Sequence, residues 1–234
     1  MGSTVTQIHY LTIPEDKHLT DVNSDAGKTW AKALDVLEAQ SGFHRLYWGR
    51  SPEDETKVQL HVVRDTLAQH KGFLSSADYS KFKTLLEPLL PSSSTTSSDF
   101  LVRHAHIRDF TPDPQALARG APVTGTAIYV STSAAWHEGA WPLWTHVVRH
   151  VDGCLGCTGG SVEETVDGRD GCYIVYVGWE SIGHHDNYHH TEHFAKNRII
   201  LSKGNEGWRE YGHVRFEGSR EGPRSLRSRG KEKL

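Results

Sequence analysis

The chain has 234 residues, with 26 Lys and Arg against 29 Asp and Glu, for a formal net charge of −3. That length allows one large domain or two small ones, and a charge so near neutral argues against nucleic acid or an anionic membrane as the partner. The longest nearly apolar run, residues 173–179, is too short to span a bilayer, and residues 1–30 carry no apolar signal-peptide core, so a cytoplasmic protein is expected.

In chain order, residues 5–13 alternate as a strand, with Val5, Gln7, His9 and Leu11 on one face. Trp30, Ala33, Leu34 and Leu37 recur at helical spacing and predict a helix over 28–40, ended by Ser41-Gly42. Residues 43–50 and 57–64 read as strands on either side of a turn-rich stretch at 51–55. Asp65 or Thr66 can cap the next helix, which carries His70, Phe73, Tyr79, Phe82, Leu85 and Leu86. The Ser/Thr-rich stretch 91–99 reads as a flexible loop inside this set, closed by a strand over 100–108. After a proline-containing linker the same order returns. Strands are expected over 125–132, 154–163, 172–179 and 208–216, and helices over about 138–150 and 181–202. Residues 218–234 mix Lys, Arg and Glu with Ser and Gly, and a disordered basic tail is expected there.

The chain repeats itself. Trp30 aligns with Trp141, Ser41-Gly42-Phe43 with Asp152-Gly153-Cys154, and Gly49 with Gly160. Further on, Asp65-Thr66-Leu67 aligns with Glu180-Ser181-Ile182, His70 with His185, Phe73 with Tyr188, Ser76 with Thr191, and Tyr79 with Phe194. A repeat of this size means two related domains, placed at 1–110 and 124–217 with a linker at 111–123. Each copy runs β-α-β-β-α-β, so the expected class is α+β with two tandem ferredoxin-like units.

Three cysteines are too few for a disulfide scaffold. Cys154-Leu-Gly-Cys157 has the spacing of a redox pair or half a zinc site, but in a regular strand residues three apart point to opposite faces, and buried reduced thiols are expected. Histidine is abundant, at 16 residues, beside seven tryptophans. His9, His61, His104 and His106 fall in strands of the first copy, where a converging set suits acid–base work near neutrality. His185, His189 and His193 follow one another at four-residue spacing on the predicted 181–202 helix, but no third ligand type accompanies them and no metal is expected. No nucleophile elbow, phosphate loop or dinucleotide fingerprint is present in the sequence, so no nucleotide cofactor is expected.

Gln40-Ser-Gly-Phe43 before a strand, and Trp179-Glu-Ser-Ile-Gly-His-His185-Asp-Asn-Tyr188 after one, resemble the antibiotic-biosynthesis monooxygenase group of dimeric α/β-barrel proteins. The second copy has the whole helix pattern, while the first has Arg64 in place of its Trp; conversely Cys154 replaces the Phe of the Gly-Phe pair. The resemblance implies a dimeric-α/β-barrel-like pseudo-dimer within one chain, with further homodimerisation open. It also implies a pocket between sheet and helices, roofed at His70 and His185 and by Trp30 and Trp141.

The expected catalytic groups are His61, His104, His106 and His70, with Trp30, Trp48, Phe73, Trp141, Tyr176 and His185 binding the substrate. The first copy is favoured as the working one, because its strand histidines supply a base. The implied function is a cofactor-independent enzyme of specialised metabolism acting on a small aromatic or polyketide-like substrate. Oxygenation is one reading; redox-neutral cyclisation, dehydration or lyase chemistry is another; a non-catalytic ligand-binding barrel is the third.

Overall fold

The computed structural model describes residues 4–91 and 100–223, so most of the Ser/Thr-rich loop and the last part of the expected tail lie outside the described residues. Among the described residues two compact units are present: one holds those up to Val102 together with those from Glu217 onward, the other is Arg103–Phe216.

In the first unit, β3 (Lys57–Arg64) pairs antiparallel with both β1 (Val5–Thr12) and β2 (Phe43–Arg50). Alternation along the strands puts Val58, Leu60 and Val62 of β3 and Leu46 and Trp48 of β2 on the face that packs against α1 (Asp25–Glu38) and α3 (Ala77–Leu86). Trp30, Ala33, Leu34 and Leu37 supply the α1 stripe, and each large side chain buried there is worth about 1.5–3 kcal/mol. Ser24 caps α1 by accepting from Gly27 N–H at 2.9 Å. Gly27 is required at that point, since a Cβ there would lie 1.9 Å from the Asp21 carbonyl oxygen. Thr66 and Gln69 form a reciprocal capping box on α2 (Leu67–Leu74).

The second unit has the strand order β8 (Trp208–Glu221), β5 (Val123–Tyr129), β7 (Cys172–Trp179), β6 (Cys154–Val162), β4 (Leu101–Asp109). Its helices are a π-helical turn Ala135–Ala140 running into α4 (Trp141–Val148), then α5 (Ile182–His189), α6 (Glu192–Asn197) and a 3-10 turn Arg198–Ser202. No helix among the described residues is long and apolar enough to cross a membrane.

The α+β class and the doubled β-α-β-β-α-β order stand as expected; several local expectations change. The compact units do not coincide with the sequence repeats. Strand β4, the last of the first repeat, pairs from Ala105↔Val162 to Asp109↔Thr158 with β6, inside the second unit. In turn, the end of β8 belongs to the first unit. Residues 218–221, expected as disordered tail, are therefore strand. The charges there have partners that composition alone cannot show: Arg220 bonds Asp35 at 2.8 Å, Glu221 lies 3.5 Å from Arg45, and Gly222 N–H donates to His44 O at 2.6 Å. Gly218 lets the strand pass Trp48, whose indole a Cβ there would strike at 2.2 Å.

The helix expected over 181–202 breaks at His190, because Thr191 caps a new helix by accepting from Phe194 N–H at 3.1 Å. The aligned Ser76 caps α3 in the same way, accepting from Tyr79 N–H at 3.2 Å. His193 thus stands on a different helix from His185 and His189. In β6 the ladder slips between Cys154 and Cys157, with Gly156 at φ 109°, so the opposite-face expectation for the two thiols fails.

On the other face of the first sheet, His61 is fully buried, stacked on Tyr47 at 4.8 Å, and bonded through Nε2 to Gln59 at 3.0 Å. Burial, with Arg45 nearby, pulls its pKa from 6.5 down to about 3. The unfolded chain takes up this proton near pH 6.5 and the folded chain only near pH 3, so stability is lost as pH falls through that window. In His61→Phe, which keeps a ring on Tyr47, the slope of unfolding free energy between about pH 4 and 6 should fall by roughly 1.4 kcal/mol per pH unit. Equal slopes in the two proteins would contradict this. Ending the chain after Gly218 should cost roughly 1–3 kcal/mol in urea unfolding, through loss of the Arg220 and Glu221 pairs and the Gly222 bond; an unchanged midpoint would show that these contacts contribute nothing.

Candidate active site

The second unit encloses a cavity of about 340 Å³. Its floor is β5 and β7, where the register sets Gly125 opposite Val177 and Ala127 opposite Val175, so small residues on β5 leave space above the sheet. Trp141 and Trp144 of α4 and His185, Tyr188 and His189 of α5 line the other side, with Trp208 and Tyr211 of β8 at the edge. A largely aromatic wall with a few polar groups suits a flat apolar ligand.

The polar groups converge. His185 Nδ1 and His213 Nε2 are 2.7 Å apart, and both residues are buried. The His185 ring stacks on Trp179 at 4.6 Å and 16°, which fixes its plane. His213 is delivered by the β8 register, opposite Gly125. Gly125 makes room for the pair, since a Cβ there would lie 3.0 Å from His185 Cε1. A contact this short needs an N–H on one ring and a bare nitrogen on the other, so the pair shares one proton along the bond. His189 lies 4.7 Å from His185 by ring centroids, and burial holds its pKa below the usual value, favouring the neutral ring. The Trp179 indole N–H is buried beside this group, and neither it nor that of Trp141 has a hydrogen-bond partner among the described residues. Burial raises the phenol pKa of Tyr129 and pushes that of Tyr188 up to about 12, so both stay neutral.

Tyr211 reaches the same group, 5.9 Å from His185 and 6.0 Å from His213 by centroids. The β5–β8 ladder slips between Gly212 and Arg209, with Glu210 at φ 51°. Glu210 is held at this bulge by a two-pronged pair with Arg103.

Of the residues singled out from sequence, Trp141 and His185 line the cavity. Tyr176 does not: it sits on the opposite pleat of β7 from Val175 and Val177, fully buried. Trp30, Trp48 and Phe73 belong to the hydrophobic core of the first unit, where Trp30 meets Trp48 edge-on at 6.0 Å and Phe73 packs on Tyr79 at 5.4 Å. His70 is fully buried and bonds the Val5 carbonyl at 3.0 Å.

The strand histidines do not form one set. Ile8, not His9, is opposite His61, so His9 faces Phe82 on the helix side while His61 lies on Tyr47 across the sheet. His104 Nδ1 is tied to Glu164 at 2.6 Å, and His106 Nε2 to Glu163 at 2.8 Å. His213 is a strand histidine of the second copy that the sequence-based choice of site residues leaves out. The signal for it is the match of His213-Val-Arg215 to His106-Ile-Arg108, which sets the two last strands in register.

No family model and no curated protein sequence matches the chain. Solved structures do. An anthrone oxidase-like protein superposes with TM-score 0.63 at 11% identity, covering 95% of this chain and 94% of its own. A protein of Fusobacterium nucleatum provisionally described as a monooxygenase gives TM-score 0.58 at 7% identity, over 94% and 95%. One provisionally described as a chlorite dismutase gives 0.53 at 11%, over 93% and 96%. At these identities the likeness is one of fold, an α+β arrangement of ferredoxin-like units shared over nearly the whole chain.

Filling the cavity tests its role without a known substrate. Ala127→Phe should weaken a naphthalene-sized fluorescent probe at least about tenfold, the loss of one well-packed aromatic contact, while the far-UV spectrum stays native. Unchanged affinity would mean the probe binds elsewhere.

Proposed function

We propose that the second unit is the active site of an oxygenase that removes a proton from a flat aromatic, polyketide-type substrate and lets the resulting anion react with dioxygen. The observation that carries this reading is the buried 2.7 Å contact between His185 and His213 beside an aromatic-walled cavity. An imidazole pair of this kind can act as a general base, because the ring that takes up a proton is held by the short N–H···N contact to its partner. For an anthrone-like methylene, the carbanion supplies electrons to dioxygen; one oxygen atom becomes the new carbonyl and the other leaves as water with the two methylene hydrogens. The substrate is then its own reductant, which is why the reading includes no organic cofactor.

We assign the base to this pair rather than to His61, His104, His106 or His70. His61 has a pKa near 3, about three orders of magnitude less basic than an ordinary imidazole, and its full burial leaves no face for a substrate ring. His70 is equally enclosed and bonded to a backbone carbonyl. His104 and His106 each already bond a glutamate. The fold likeness to an anthrone oxidase-like protein agrees with oxygenation, and the same pair could equally return its proton in a cyclisation or elimination.

With tricyclic hydroxylated anthrones as substrates, His185→Ala and His213→Ala should each cut turnover by roughly 10²–10⁴, and the double variant should be little worse than either single one, since the two rings act together. His61→Phe should retain most activity. Oxygen uptake equal to product formed supports oxygenation; product without oxygen uptake moves the reaction to redox-neutral chemistry, and tight binding with no turnover to a carrier role.

A further inference from the structure

Beside the cavity lies a pair of side chains that proton chemistry does not use. Cys154 faces Trp179 and Cys157 faces Val177 across the β6–β7 ladder. Three steps along β6 therefore match two along β7, and both thiols point to the side of the sheet on which Val177 and Trp179 line the cavity. Both also join the hydrophobic cluster of that side. The bulge is held in place: Phe110 N–H donates to Cys157 O at 3.0 Å, Gln115 N–H to Leu155 O at 2.8 Å, and Cys157 N–H to Thr111 Oγ1 at 2.9 Å. Gly156 is needed there, since a Cβ would lie 2.7 Å from Pro114 Cα.

The two thiols hydrogen-bond each other. That contact lowers the pKa of Cys154 and, with burial, raises that of Cys157; it is exposure that makes Cys154 the attacking thiol and Cys157 the resolving one. Cys154 is partly exposed and Cys157 is buried. Cys172 differs from both: burial raises its pKa and its thiol donates to Arg169 O at 3.1 Å.

We propose that Cys154 and Cys157 form a redox-active dithiol that closes to a disulfide when hydrogen peroxide reaches it. The Cys154 thiolate attacks one peroxide oxygen; the O–O bond breaks, hydroxide leaves and takes a proton as water, and Cys154 becomes a sulfenic acid. Cys157 then loses its proton and attacks the Cys154 sulfur; the S–S bond forms, the S–O bond breaks, and a second water leaves. Two thiols are oxidised and one peroxide is reduced to two waters. This does not depend on the cavity's substrate or reaction.

The test is peroxide treatment of the full-length protein, followed by alkylation and peptide mass mapping. Two of the three thiols should be lost together in a peptide linked 154 to 157, and dithiothreitol should restore them. Cys157→Ser should stop at a sulfenic acid on Cys154 that dimedone traps, and Cys154→Ser should form no intramolecular link. Before oxidation, iodoacetamide should modify Cys154 at least about tenfold faster than Cys172, since Cys154 is partly exposed and Cys172 is buried. Three thiols still titratable after peroxide would overturn the proposal. So would a link through Cys172, or a wild-type protein that accumulates the sulfenic acid without closing the 154–157 bond.

Discussion

The contact between His185 and His213 exists only because three elements deliver its parts together. Helix α5 begins at the Ser181 cap, which sets His185 over the sheet; Trp179, two residues before that cap, gives the ring a flat surface to stack on. Strand β8 brings His213 opposite Gly125, and the missing side chain at Gly125 is what lets the two rings meet. Buried imidazoles without partners would be costly, and here each satisfies the other. The aromatic wall and the small β5 residues then leave open space beside that pair rather than packing it shut.

The two repeats diverge at this place. Where the second copy has Trp179 stacked on His185, the first has Arg64 over Phe73 at 4.8 Å, and His70 turns to a backbone carbonyl. In the first unit Trp30, Trp48, Phe73, Tyr79 and Phe82 fill a continuous core. One copy of the repeated unit has a cavity with a proton-sharing pair, while the other has a packed interior around the corresponding histidine.

Much of the fold is legible in the sequence because period and punctuation agree. The strands at 43–50, 57–64 and 172–179 can be placed to the residue, since turn-forming residues bound each apolar or alternating run. Repeat alignment points to Trp141 and His185. Three features escape for one shared reason, that they depend on partners distant in sequence. The end of β8 looks like a charged tail until Asp35 and Arg45 are placed beside it. The bulge that aligns the thiols depends on Gly156 meeting Pro114 and Thr111. The reading that favours His61 and His106 rests on strand histidines alone, whereas the proposal for His185 and His213 rests on an imidazole pair beside open space, a feature visible only once β8 and β5 are paired.

The most direct measurement of the central claim isolates proton abstraction from the oxygen chemistry. In deuterated buffer without oxygen, the protein should speed exchange of the acidic methylene hydrogens of a hydroxylated anthrone, since the His185–His213 pair takes and returns the proton with no oxidant present. Replacing either histidine by alanine should remove roughly 10² or more of that acceleration. Exchange no faster than in buffer alone, or acceleration undiminished in well-folded His185→Ala and His213→Ala, would contradict the account.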